Sequence, residues 1–249
     1  MKLIRIEGVL VKMSTYVFVH GAWQGEWAWE LVKPQLESFG HKVVTLDLPG
    51  SGKDMTPPQD VTLDLYVERV IDVINQQNEK VILVGHSMGG IVITQTAEYV
   101  PDKIDKLVYL CAFLPQNGES LGGKSTGKKG PRTLVNASNM TAELDPEYIE
   151  QTLLNATKDD AIKLATIKRM RPQPLGPFQQ ELKTSAEKFG TVNRVYIETT
   201  LDQAIPLAFQ RMMYTETPCN KIITMEADHL PFFSKTTELV QHLNQLSQD

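Results

Sequence analysis

Six short apolar runs set the main limit on what this chain can fold into: TYVFVHG (15–21), KVVTLDLPG (42–50), KVILVGHS (80–87), KLVYLCAFLP (106–115), RVYIETT (194–200) and KIITMEADH (221–229). Their Val, Ile and Leu content is continuous rather than alternating, so they read as strands covered on both faces. Helical spacing occupies 61–77, 88–100 and 235–247, and also 27–39, where Pro34 interrupts or restarts the helix. Strand–helix alternation predicts an α/β fold, a mostly parallel sheet with helices on both faces. In such sheets ligands bind beyond the carboxyl ends of the strands.

One interval breaks the rhythm. Residues 115–190 are far too many for an ordinary crossover. They open with five glycines between Gly118 and Gly130, continue through helical segments near 146–156 and 158–170, and reach the proline-rich RPQPLGP. This stretch is expected to be a helical cap, inserted after the strand near 106–115 into a core made of 1–114 and 191–249. Residues 1–12 alternate around Gly8 and could add an edge hairpin, although Met13 offers an alternative start.

Composition narrows the classes. A net charge of −5 over 249 residues argues against a nucleic-acid partner, and the one basic cluster, GGKSTGKKGPR, is short and glycine-rich. No run approaches the ~18 apolar residues of a membrane span. The two cysteines, Cys111 and Cys219, lie far apart, with no disulfide framework and no metal-type spacing. Expected from this are a cytoplasmic address, no cofactor or metal, and a monomer or homodimer acting on a small molecule.

The chemistry centres on VILVGHSMGG (81–90). A Gly85-His86-Ser87-Met88-Gly89 pentapeptide between a strand and a helix is the setting of a nucleophile elbow, whose strained turn presents the serine. A serine hydroxyl needs a base, and the base an orienting acid. Of the five histidines, 20, 41, 86, 229 and 242, only His229 follows a strand near the C-terminus, where a loop can return it to Ser87. For the acid, Glu198 lies within a strand, whereas Asp202 follows its carboxyl end and is preferred. Asp228, beside His229, is expected to anchor the loop. An oxyanion hole is expected from the backbone N–H of Met88 and that of Ala22 in HGAWQGEW. At least two of Trp23, Trp27 and Trp29 read as aromatic core anchors.

These stretches, together with VYIETTLDQAIPLAFQRMM and ADH, resemble the α/β-hydrolase superfamily. Within it they are most similar to the branch of plant methylesterases, hydroxynitrile lyases and bacterial carboxylesterases such as pyrethroid hydrolases. The resemblance covers about 15–115 and 190–245, and the cap only through MRPQPLGPF. It implies Ser87 as nucleophile, His229 as base, Asp202 as acid, and Ala22 and Met88 as oxyanion donors. The lyases of the branch carry threonine and lysine where this chain has Gly21 and Leu230. The comparison therefore implies ester hydrolysis, with Gly21, Trp23 and Leu230 against the substrate and Leu230 as an apolar wall.

Three rivals remain. Hydroxynitrile-lyase-like cleavage is one, and a non-catalytic ligand receptor on the same fold is another. The third is nucleotide binding, because Gly118 to Ser125 matches G-x-x-x-x-G-K-[ST] letter for letter. That motif needs a helix whose N-terminus faces phosphate, whereas Thr-Gly-Lys-Lys-Gly-Pro follows here. A mobile, solvated cap edge is the expected alternative.

Overall fold

The apolar runs pair side by side. The computed structural model describes residues 2–6 and 9–248. Its strands are Lys2–Ile6 (β1), Val9–Met13 (β2), Thr15–Val19 (β3), Lys42–Thr45 (β4), Val81–His86 (β5), Ile104–Leu110 (β6), Thr133–Asn136 (β7), Thr141–Leu144 (β8), Gln173–Pro174 (β9), Asn193–Thr199 (β10) and Lys221–Met225 (β11). Six of them form one parallel sheet in the order β11-β10-β6-β5-β3-β4. Tyr16 to Val19 and Val81 to Val84 are buried on both faces, as their unbroken apolar sequence requires. From β3 the chain first steps outward to β4 and then crosses back to β5. The order therefore reverses between β3 and β5, and a crevice opens at their carboxyl ends.

The helices form where the spacing places them, at Leu63–Asn75, Gly89–Tyr99 and Thr236–Leu246. Leu63–Asn75 is capped by the Thr62 hydroxyl, which accepts from Leu65 N–H, and buries Leu63, Tyr66, Val67, Val70, Val73 and Ile74 along one stripe. Pro34 falls in the first turn of Val32–Ser38, where no N–H is required of it, and a separate 3-10 turn, Glu26–Trp29, precedes that helix. Trp29 is wholly buried against Phe18 and Phe232, and Trp27 stacks on Phe233, so these two are the anchors. Among the described residues no helix is long and apolar enough to cross a membrane.

Two features depart from the expectation. The hairpin β1–β2 forms but stands as its own two-stranded sheet rather than at the edge of the main one, and Gly8 lies outside the described residues. The insertion between β6 and β10 does carry helices, at Leu121–Ser125, Ile149–Leu153, Asp160–Arg169 and Gly176–Gln179. It also contains a small antiparallel sheet, β7-β8-β9, which periodicity could not reveal. β7 is exposed throughout and β9 is two residues long.

The glycine-rich cap edge is also better ordered than its composition implies. Ser120 caps Leu121–Ser125, and Lys124 is buried between the carboxylates of Glu119 and Glu216. A lysine committed to two carboxylates is not held out toward phosphate, so the nucleotide motif has no support in this local structure.

Candidate active site

β5 ends at His86, and Ser87 turns the chain into Gly89–Tyr99 with φ of 52°. For a residue with a Cβ this conformation costs about 1–3 kcal/mol. The turn is fixed by Ser87 N–H donating to Leu110 O, and by Ser87 O accepting from Gly90 and Phe113 N–H. The flanking glycines have a measurable reason. A Cβ on Gly85 would lie 2.6 Å from Gly89 O, and one on Gly89 would lie 2.7 Å from Val19 O.

Two loops meet the serine. His229, after β11, places Nε2 at 2.9 Å from Ser87 Oγ, and its Nδ1 lies 2.7 Å from Asp202 Oδ2. Asp202 follows β10, and its Oδ1 accepts the N–H groups of Ala204 and Ile205, each at 2.8 Å. Its Oδ2 accepts further from Thr199 Oγ1 and Gln210 Nε2. Gln210 also bonds Thr199 and Ile205 through their backbones, and so clamps both ends of the Asp202 loop. Sequence reasoning missed this residue, whose only mark is an amide among the buried positions of Leu207–Glu216.

The two carboxylates set aside are placed elsewhere. Glu198 is buried and bonded to Arg211, Tyr214 and Thr224. Asp228 anchors the histidine loop as expected, through Leu230 N–H and Ser234 Oγ, but its second oxygen accepts from Ala156 N–H, Thr157 N–H and Thr157 Oγ1. One buried carboxylate thus joins the cap to the loop bearing His229.

Ser87, His229, Ala22, Met88 and Trp23 all line a cavity of about 210 Å³, with Phe113, Leu175, Phe178 and Ile205 among its apolar walls. The N–H groups of Ala22 and Met88 donate no hydrogen bond among the described residues. Gly21 and Leu230 do not line this cavity. Leu230 is fully buried beneath the loop, its N–H held by Asp228 just before the turn Pro231–Ser234, so its side chain is core and not a substrate wall. Gly21 is packed against His86: a Cβ there would lie 2.7 Å from His86 Nδ1.

Two histidines that the sequence left without a role brace these loops. His20 Nδ1 donates to Gly21 O, and its Nε2 accepts from Leu48 N–H. His86 Nε2 donates to His229 O. Burial holds both imidazoles below the ordinary 6.5, His86 well below it, with His229 beside it adding to the effect. A group neutral when folded and protonated when unfolded withdraws stability as pH falls below 6.5, because the unfolded chain takes up the proton. Thermal melts between pH 5 and 8 should therefore show Tm highest above pH 6.5 and declining below it. A Tm that rises on acidification would contradict this placement. His86, His229 and Cys111 also bring possible metal-ligand atoms within 4.8 Å of one another. However, His86 Nε2 and the Cys111 thiol are engaged with His229 O, and burial keeps that thiol protonated.

Known proteins share this arrangement of elements. Residues 16–242 match the family described as the alpha/beta hydrolase family. Over 96% of its length the chain is 34% identical to methylesterase 11 of Arabidopsis thaliana, named as a chloroplastic protein, and it spans 65% of that relative. It is 33% identical to the alpha-hydroxynitrile lyase of the same plant, over 94% of this chain and 97% of the other. The crystal structure of a methylesterase from Arabidopsis superposes with a TM-score of 0.81 at 29% identity, covering 94% of this chain and 99% of that one. These relatives overturn the cytoplasmic address: methylesterase 11 and three further methylesterases of that plant are named as chloroplastic. Charge and cysteine count cannot tell one reducing compartment from another.

Proposed function

The chain belongs to the alpha/beta hydrolase family, in the branch of plant methylesterases and hydroxynitrile lyases, and from that premise we propose that it cleaves carboxylic esters through Ser87, His229 and Asp202. The esterase and hydrolase relatives support an enzyme of the broad hydrolase class. The assignment to these three residues rests on one observation, the unbroken chain of hydrogen bonds from Ser87 Oγ through His229 to Asp202 at the wall of an apolar cavity.

In this reading Asp202 Oδ2 accepts from His229 Nδ1–H, which leaves the Nε2 lone pair facing the Ser87 hydroxyl. Ser87 Oγ attacks the ester carbonyl and its proton passes to His229 Nε2. The N–H groups of Ala22 and Met88 receive the developing oxyanion, where each such donor contributes about 2.7–4 kcal/mol. His229 then returns the proton to the departing alcohol. Water repeats the sequence on the acyl-enzyme and releases the acid. Residues 115–190 serve as the cap over this site, and the remainder as its core.

Rapid mixing with an aryl ester tests the reading. A burst followed by steady turnover is expected, with an acyl adduct on the peptide containing Ser87 in quenched samples. A single acylation without turnover would make the protein a receptor, and turnover that survives Ser87→Ala would remove Ser87 as nucleophile.

Lyase chemistry fits less well. A threonine at position 21 needs space that His86 occupies, and a lysine at position 230 would start from a fully buried site. Pairing Gly21→Thr with Leu230→Lys is therefore expected to lower both Tm and esterase activity. Cyanide release from mandelonitrile by the unmodified protein, abolished in Ser87→Ala, would overturn the hydrolytic reading.

A further inference from the structure

A second cavity, also of about 210 Å³, is bordered by Trp23. Trp23 lines both cavities. Ala142 borders the first and Leu144 the second, and these residues stand two apart on β8, on the same face of the strand. The Trp23 Nε1–H donates to Ala142 O at 2.9 Å, which ties the indole to the strand that borders both spaces.

Resting on the esterase reading, we propose that the two cavities are halves of one elongated ester site, and that Trp23 is the partition setting how long an ester it accepts. The second cavity would receive the distal end of an ester with an apolar body and a hydrogen-bonding tip. Its walls supply that chemistry. Leu144, Ile149, Ile167 and Met170 are apolar, while Glu143 and Arg171 bring a carboxylate and a guanidinium to the same space. The Arg171 guanidinium donates to the carbonyl oxygens of Gly52 and Asp54, and among the described residues it makes no ion pair with a carboxylate.

The partition is held in a way that allows release. Trp23 has φ of 64°, a rare conformation for so bulky a residue, and such outliers gather where a site depends on them. Its three polar restraints all come from the cap: Ala142 O, Gln173 Oε1 on its N–H, and Arg171 N–H on its carbonyl. A shift of cap residues 142 and 171–173 would therefore free the indole and join the two spaces.

The experiment measures kcat/KM for two aryl- or alkyl-ester series, one lengthened on the acyl side and one on the alcohol side. Trp23→Ala is expected to raise the long-to-short ratio at least about ten-fold in one series, the scale of ~1.4 kcal/mol. Trp23→Phe, which loses the bond to Ala142 O but keeps a ring, should move the ratio the same way by less. Adding Ile167→Trp, which fills the second cavity, should return the ratio to that of the unmodified protein. An unchanged ratio in both series, or a gain that survives Ile167→Trp, overturns the proposal. Ser87→Ala run beside them separates the two readings. Short-ester turnover that survives it defeats the esterase assignment, whereas Ser87-dependent turnover with an unmoved ratio defeats only the partition.

Discussion

Ser87→Ala is expected to lower kcat on a simple ester by on the order of 10⁶-fold, the scale set by loss of the serine in another serine hydrolase. The substitution removes only Oγ. The hydrogen bonds that fix the turn run through the backbone of residue 87, and the strain at φ of 52° is the same for alanine as for serine. Tm should therefore stay close to that of the unmodified protein, so any loss of rate reports chemistry and not folding. Steady-state kcat and a thermal melt on the same preparation check both halves. A variant with native Tm that retains more than a few per cent of the rate would require another nucleophile.

Asp202→Asn should cost roughly 10⁴-fold in kcat, and the surroundings of the side chain explain why. Oδ1 accepts two backbone N–H groups, from Ala204 and Ile205, so an asparagine must keep its oxygen there. Its NH₂ then takes the place of Oδ2, 2.7 Å from His229 Nδ1. Two donors cannot face each other, so His229 must move its proton to Nε2 and point it at the serine that it is meant to deprotonate. Glu198→Gln should change kcat little, since its partners Arg211, Tyr214 and Thr224 belong to a separate network.

The effect of Glu198→Gln should appear instead in acid stability. Burial alone would raise the Glu198 carboxyl, but the hydrogen bonds from Arg211, Thr224 and Tyr214 bring it below the ordinary 4.5. A lowered carboxyl contributes stability above that value and loses it as pH falls through the folded one. Melts from pH 6 to 3 should therefore be flatter in Glu198→Gln. If Glu198→Gln proves more damaging to kcat than Asp202→Asn, the acid must be reassigned.

The features legible in the sequence were those written into neighbouring residues. Val81 to Gly90 carries its strand, its turn and its steric exceptions in ten letters, and Asp202 and His229 each follow a strand end in the expected order. Features that depend on a distant partner were not legible. Leu230 looks like a substrate wall until Asp228 is seen holding its N–H and turning the side chain into the core. Lys124 looks solvated until Glu216, 92 residues away, closes on it. Gln210 and the cap half of Asp228's bonding are legible only once the chain has folded, because most of the groups each serves are backbone groups that carry no side-chain identity.

The bonds at Asp228 also couple the cap to the loop that carries the proposed base. Three donors on one of its oxygens belong to Ala156 and Thr157, and two on the other belong to Leu230 and Ser234. A cap that swung outward by more than a hydrogen-bond length would leave the buried Asp228 carboxylate under-coordinated one residue from the proposed base. The loop must then relax to re-solvate it, and His229 moves with that loop. Product escape and loss of alignment at the serine would then be a single event, as would substrate capture and its recovery. On the proposed mechanism, an open gate would thus be a misaligned catalyst, with no further part needed to prevent reaction while water has free entry.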